Sequence, residues 1–82
     1  MKKVHKLKIE SQYFNDILNN KKRFEIRKND RGFKVGDRVH LIEGCSRIEF
    51  TIDYISSYMQ VNNYVVLGFE NYRLSKNKEN LI

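Results

Sequence analysis

An 82-residue chain with 16 Lys/Arg against 10 Asp/Glu carries a net charge of +6, and that length builds one domain around one small core. Hydrophobic residues make up 40% of it, with five Phe and five Tyr among them, which is too rich for a disordered chain of this charge. One cysteine, Cys45, excludes an internal disulfide, no Cys/His grouping has zinc-site spacing, and no apolar run is long enough for a signal peptide or a membrane span. A soluble, cytoplasmic protein without metal or cofactor is therefore expected, and a pI near 9.6 makes a polyanion the natural partner class.

Residues 4–9 (VHKLKI) alternate and read as a first strand, with Val4, Leu7 and Ile9 taken toward the core. Ser11 is placed as an N-cap. Tyr13, Phe14, Ile17 and Leu18 then form the apolar stripe of a helix of about two turns. Asn19-Asn20 supplies a stop, because Asn tolerates the left-handed backbone almost as glycine does. Residues 22–27 form a second strand in which Phe24 and Ile26 alternate with Arg23, Glu25 and Arg27. Turns at 29–32 (NDRG) and 35–37 (VGD) lead to a third strand over 38–43 and a tight connection at 44–46. Residues 47–55 (RIEFTIDYI) alternate strictly, which places Ile48, Phe50, Ile52 and Tyr54 on one core face. Residues 64–69 (YVVLGF) are nearly all apolar and read as a strand covered on both sides. Residues 1–72 are thus one mixed, mainly β domain of about five strands with a short helix after the first, and 73–82 are expected to be a C-terminal tail.

Charge is concentrated in one place. Between residues 21 and 38 lie eight Lys/Arg and three acids, five of the six net charges. The stretch KKRFEIRKNDR is no plain charge run, since its alternation describes a strand whose polar face carries a cation, an acid and a second cation at fixed spacing.

The order H-x-L-K-I, short helix, K-K-x-F-E-I-R-K-N-D-R, V-G-D and V-V-L-G-F resembles the ASCH domain (activating signal cointegrator 1 homology) of the PUA-like superfamily, in its small bacterial and phage version. The likeness covers His5 to Phe69. The family signature G-x-K-x-x-E-x-R falls on Asn20, Lys22, Glu25 and Arg27, with Asn20 standing where the pattern has glycine. The resemblance implies a PUA-like β-barrel with a cleft beside the first helix that holds RNA or a nucleotide. Some relatives act as amidohydrolases on N4-acylated cytidine through a lysine of this motif, and they also use a small hydroxyl residue close to that lysine. Here the neighbouring residues are Arg23 and Phe24.

The functional expectation is a basic cleft in which Lys21, Lys22, Arg23, Arg27 and Arg31 contact phosphates. Glu25 would orient them or accept a donor from a base or sugar, and His5 would lie beside Glu25. The alternative for the same residues is an exposed cross-strand salt-bridge ladder. If the protein is an enzyme, Lys22 and Glu25 are the catalytic pair, with crowded cations keeping Lys22 neutral enough to take a proton from water. A third reading is an accessory factor that offers its basic face to an acidic protein. Asp30 is expected at the cleft's rim, His40 on a strand surface, and Tyr54, Tyr58, Tyr64 and Tyr72 are candidate stacking faces for bases, with packing favoured for Tyr54.

Overall fold

The computed structural model describes residues 2–76. Among them one helix and seven strands form two sheets: β1 (Val4–Lys8), α1 (Ser11–Leu18), β2 (Phe24–Lys28), β3 (Arg38–Glu43), β4 (Ser46–Thr51), β5 (Tyr54–Ser56), β6 (Tyr64–Gly68) and β7 (Tyr72–Lys76). The larger sheet has the order β1-β3-β4-β7, with β1 parallel to β3 and the other pairs antiparallel; the smaller has the order β2-β6-β5 and is antiparallel throughout. The fold is mainly β, as expected, with seven strands rather than about five. The described pairings leave two open sheets instead of a closed barrel.

The core is a single cluster shared by both sheets and the helix. Leu7, Val39, Leu41, Ile48 and Phe50 enter from the larger sheet, Val65 and Leu67 from the smaller, and Phe14 and Ile17 from α1. Phe69 stacks on Phe50 at 3.9 Å and meets Tyr72 edge-on, which closes the end of the core where β7 begins.

Three expectations about strand faces need correction. In β1 the buried residues are His5 and Leu7, while Val4 is exposed. His5 Nε2 donates to Asp37 Oδ2 at 2.8 Å and its ring lies 4.7 Å from Phe33, so the imidazole is packed into the base of the 34–37 turn. That hydrogen bond, followed by those from the Lys3 and Lys34 amides and the His5 charge, holds the Asp37 carboxyl below its usual value against the opposing effect of burial. In residues 47–55 the alternation is real but the strand is not continuous. The chain turns at Ile52 and Asp53, where Ile52 N–H donates to Asp37 O and Asp53 N–H to Gly68 O. β4 therefore belongs to one sheet and β5 to the other, and Tyr54 emerges on the far side of the break, 63% exposed. β6 is covered on one face by the core and only half covered on the other, where Val66 and Gly68 lie.

At the C-terminus residues 73–76 complete β7, paired with β4, where a tail was expected. Residues 77–82 lie outside the described part.

The helix begins one residue earlier than a Ser11 cap would give. Glu10 holds the N-cap position, and Ser11 instead donates its hydroxyl to Glu43 Oε2 at 2.6 Å, tying the helix start to the end of β3. The other end is a Schellman turn: Lys21 N–H donates to Asp16 O at 2.9 Å and Asn20 N–H to Ile17 O at 3.0 Å. That geometry needs a left-handed residue, and Asn20 has φ 60°. The residue in place of the signature glycine is thus explained by backbone conformation. Asn20→Gly is expected to leave stability within about 0.5 kcal/mol, whereas Asn20→Ala costs about 1 kcal/mol or more, because a Cβ without a polar group strains this φ. Urea denaturation of the two variants checks this; equal midpoints would contradict it.

Candidate functional site

β1 and β2 are the edge strands of the two sheets, and α1 connects them. The gap between these edges is a groove of about 450 Å³. Its walls are Tyr13 of α1, Ile9 after β1, and Phe33 and Tyr64 from across the opening. Its charged lining is Lys8, Glu10, Glu25, Arg27, Lys28, Asp30 and Arg31, four cations against three acids.

The decisive feature is the phase of β2. Glu25 stands in register with Leu67 and Arg27 with Val65, both core residues, so the charged positions turn inward. Glu25 is 5% exposed, whereas Phe24 and Ile26 are 42% and 45% exposed. Alternation tells which residues share a face but not which face is covered, and here the polar face is the buried one. The apolar pair looks outward beside Tyr54, because Phe24, Gly68 and Tyr54 lie in one cross-strand row.

A carboxylate in this position must be paired. Glu25 Oε1 accepts from Lys22 Nζ at 2.9 Å and Oε2 from Arg27 Nε at 2.8 Å. Arg27 Nη2 donates in turn to the Lys8 carbonyl at 2.7 Å, a clasp from β2 to the facing edge of β1. Lys22 Nζ also stands 4.6 Å from the Tyr13 ring centroid and 5.6 Å from that of Phe24. Both contacts use Lys22 as a cation. A second hollow of about 460 Å³ lies on the other side of Glu25, lined by Lys21, Lys22 and Asp16 with Tyr13, Phe24 and Ile26. The Lys22–Glu25–Arg27 ladder is therefore a partition between two concave surfaces and not a solvated surface pair.

Of the expected site residues, Glu25, Arg27 and Arg31 line the groove, with Asp30 beside them, and Lys21 and Lys22 line the neighbouring hollow. Two lie elsewhere. Arg23 turns toward the C-terminal strand, where it donates to the Glu70 carbonyl and to Asn20 Oδ1 and lies 5.7 Å from the Tyr72 ring. His5 is not beside Glu25; it is spent on Asp37 beneath Phe33. Tyr64, a candidate stacking face, lines the groove, and Lys8, Lys28 and Tyr13 join the lining without having been singled out. The edge position of β1 explains Lys8, since its carbonyl and side chain sit at an unpaired strand border.

Residues 4–69, most of the chain, match the family described as "Domain of unknown function (DUF3850)". The chain belongs to this family. It is also 44% identical over 43 residues to a protein of Escherichia phage P2 described as "Uncharacterized 12.9 kDa protein in GpA 3'region". The aligned stretch is 52% of this chain but 39% of the phage protein, so the similarity spans well under half of that relative. No helix among the described residues is long and apolar enough to cross a membrane.

This DUF3850 domain holds a second buried glutamate that periodicity alone did not mark. Glu49 of β4 faces away from the core, yet it is 4% exposed. Arg47 Nε (2.7 Å), Arg73 Nη2 (2.9 Å), Arg38 Nη2 (3.3 Å) and the Ser75 hydroxyl (2.9 Å) all donate to it. His40, expected on a free strand surface, is half-buried with Nε2 3.9 Å from Glu49 and Nδ1 without a hydrogen-bond partner. Burial is the largest influence on His40 and lowers its pKa, against the attraction of Glu49. For Glu49 burial opposes ionisation, but the hydrogen bonds from Ser75, Arg73 and Arg47 and the Arg47 charge outweigh it and hold the carboxyl down at about 2. Since this value lies below the ordinary 4.5, the stabilising contribution is complete above about pH 4.5 and is lost as pH falls toward about 2. Glu49→Gln is expected to flatten that part of the acid limb in urea midpoints measured against pH. An unchanged slope would contradict the assignment.

Proposed function

We propose that the groove between β1 and β2 binds RNA or a nucleotide, with Arg27, Lys8, Lys28 and Arg31 engaging phosphate and the Tyr13 and Tyr64 rings bordering the base. One observation carries the reading: the buried Glu25 carboxylate fixes Arg27 in an open groove, and Lys22 in the hollow beside it, instead of leaving them on long flexible stems. A preordered guanidinium loses less freedom when it takes a phosphate, and its fork still offers N–H donors beyond the two used on Glu25 and Lys8. The ASCH resemblance supports the same assignment, because its signature residues Lys22, Glu25 and Arg27 are the ones that meet here. On this reading the two open sheets correspond to a PUA-like barrel parted along the β1–β2 side, and the protein works with its RNA in the cytoplasm.

Hydrolysis of an N4-acylated cytidine is the second reading, favoured by the 2.9 Å contact between Lys22 and Glu25. Against it, the groove lining contains no Ser or Thr among the described residues, and Ser11 is engaged with Glu43. Product analysis with N4-acetylcytidine decides this. Turnover abolished by Lys22→Ala would favour the hydrolase; none above that variant removes it.

For binding, Arg27→Ala and Arg31→Ala are each expected to weaken a short single-stranded RNA roughly tenfold, about 1.4 kcal/mol. Each should also reduce the magnitude of the salt slope of log K by about 0.7. Arg31 is exposed and outside the Glu25 ladder, so its variant separates binding from folding. Unchanged affinity and salt slope in both variants would overturn the groove assignment.

A further inference from the structure

The outer face of the larger sheet is cationic beyond what its own structure needs. Alternation directs Lys6 and Lys8 of β1, Arg38 and His40 of β3, Arg47 and Glu49 of β4, and Arg73 of β7 away from the core. The strand registers arrange these in rows. Lys6, His40, Glu49 and Arg73 cross all four strands in one row, and Lys8, Ile42, Arg47 and Ser75 in the next. Among the described residues five Lys/Arg thus share a face with one acid. A salt bridge that served stability alone would pair one cation with Glu49, whereas like charges gathered on neighbouring strands repel and destabilise the sheet.

Glu49 explains how the arrangement persists. It is buried on a solvent-facing side because the arginines lie over it, and the single carboxylate orients three guanidiniums at once. Arg38 and Arg73 each give one nitrogen to Glu49 and have side chains 49% and 72% exposed. A guanidinium carries five N–H donors, so both retain donors toward solvent. Between them opens a hollow of about 280 Å³ with Thr51 and Asn71 on its rim. The aromatic residues at this face are covered: Phe50 in the hollow's lining is buried, Tyr72 beside it is half-buried against Phe69, and His40 is half-buried, so among the described residues the surface has charge for phosphates and no fully exposed ring for stacked bases.

The face also joins the groove. Lys8 ends β1 and lines the groove, where its carbonyl accepts from Arg27. From there the rows run about 14 Å across three strand spacings to β7. We propose that the outer face of the four-stranded sheet is a second contact surface, over which the sugar-phosphate backbone of a single-stranded nucleic acid passes from the groove across Lys8 and Lys6 to the Arg38–Arg73 hollow. The class of ligand rests on the groove reading; the surface and its path are additional to it. Contacts here are to backbone, so they add affinity and salt dependence without base preference.

Oligouridylates of ~4 and ~16 nucleotides separate the two surfaces, the shorter filling the groove and the longer able to cross the sheet. Binding is followed by fluorescence anisotropy at several salt concentrations. The Arg38→Ala/Arg73→Ala variant is expected to leave the short oligomer unchanged. For the long one it lowers the magnitude of the salt slope by about 1.4 and weakens affinity at least tenfold. Arg38→Gln/Arg73→Gln keeps a neutral donor for Glu49 and is expected to do the same, and it decides the matter if the alanine variant fails to fold. An unaltered salt slope for the long oligomer overturns the proposal even if Arg27→Ala abolishes short-oligomer binding. Conversely, loss of the long-oligomer slope with Arg27→Ala silent sustains this surface while removing the groove. Tight polyglutamate binding that depends on Arg38 and Arg73, with no oligouridylate effect, overturns it in favour of an acidic protein.

Discussion

A carboxylate buried at the open side of a two-sheet fold must be answered by cations, and much of this molecule's geometry follows from how Glu25 is answered. Its inward turn on β2 draws Lys22 from the end of the helix and Arg27 from two residues along the strand. Removing one partner from a buried ion pair is far more costly than removing an exposed one, of the order of 3–5 kcal/mol when burial is complete. The partners of Glu25 are therefore constrained in a way that surface lysines and arginines are not. Arg27 carries the constraint across the gap by reaching the Lys8 carbonyl. The groove, its cationic lining and its connection to the larger sheet all depend on that clasp.

The same device occurs twice. Glu49 sits among Arg38, Arg47, Arg73 and Ser75 much as Glu25 sits between Lys22 and Arg27. In both places one acid is outnumbered and enclosed, and cations that would otherwise repel are held in fixed positions. The two clusters lie on different sheets and are linked through β1, whose Lys8 touches the groove and whose outward residues begin the rows that lead to Arg73. A net charge of +6 is in this sense organised by two buried glutamates.

The sequence made the organising elements readable to different degrees, for physical reasons. Strand and helix positions followed from periodicity, and the left-handed Asn20 from its place after the helical stripe. Periodicity does not say which face of a strand is covered, so the alternation of β2 left open that Glu25 is buried while Phe24 and Ile26 are exposed. It also cannot mark where a strand leaves one sheet for another. Alternation continues through Ile52 and Tyr54 although the chain turns between them, so Tyr54 looked like core. His5 was matched to Glu25 by proximity of strands, but its partner Asp37 comes from a turn 32 residues away, and long-range pairing of that kind has no local signal. Glu49 reads as the polar half of an alternating strand; only the registers that bring Arg38 and Arg73 to either side of it show otherwise. Lys22, Glu25 and Arg27 were picked out together because a stretch of six residues resembles the spacing of a family signature, a likeness that needs no long-range contact to be read.

The central claim is that the cations ordered by Glu25 are a binding surface, and it is tested most directly by side-chain NMR. Arginine Nε–H resonances and backbone amides are followed as a short oligouridylate is added. The account predicts saturable shifts of the Arg27 Nε–H signal and of the Lys8, Ile9 and Glu25 amides at one common dissociation constant. It also predicts that Glu25→Gln, which frees Arg27, weakens that constant. Saturable binding that leaves Arg27 and its neighbours unshifted, or no binding at all, would contradict it.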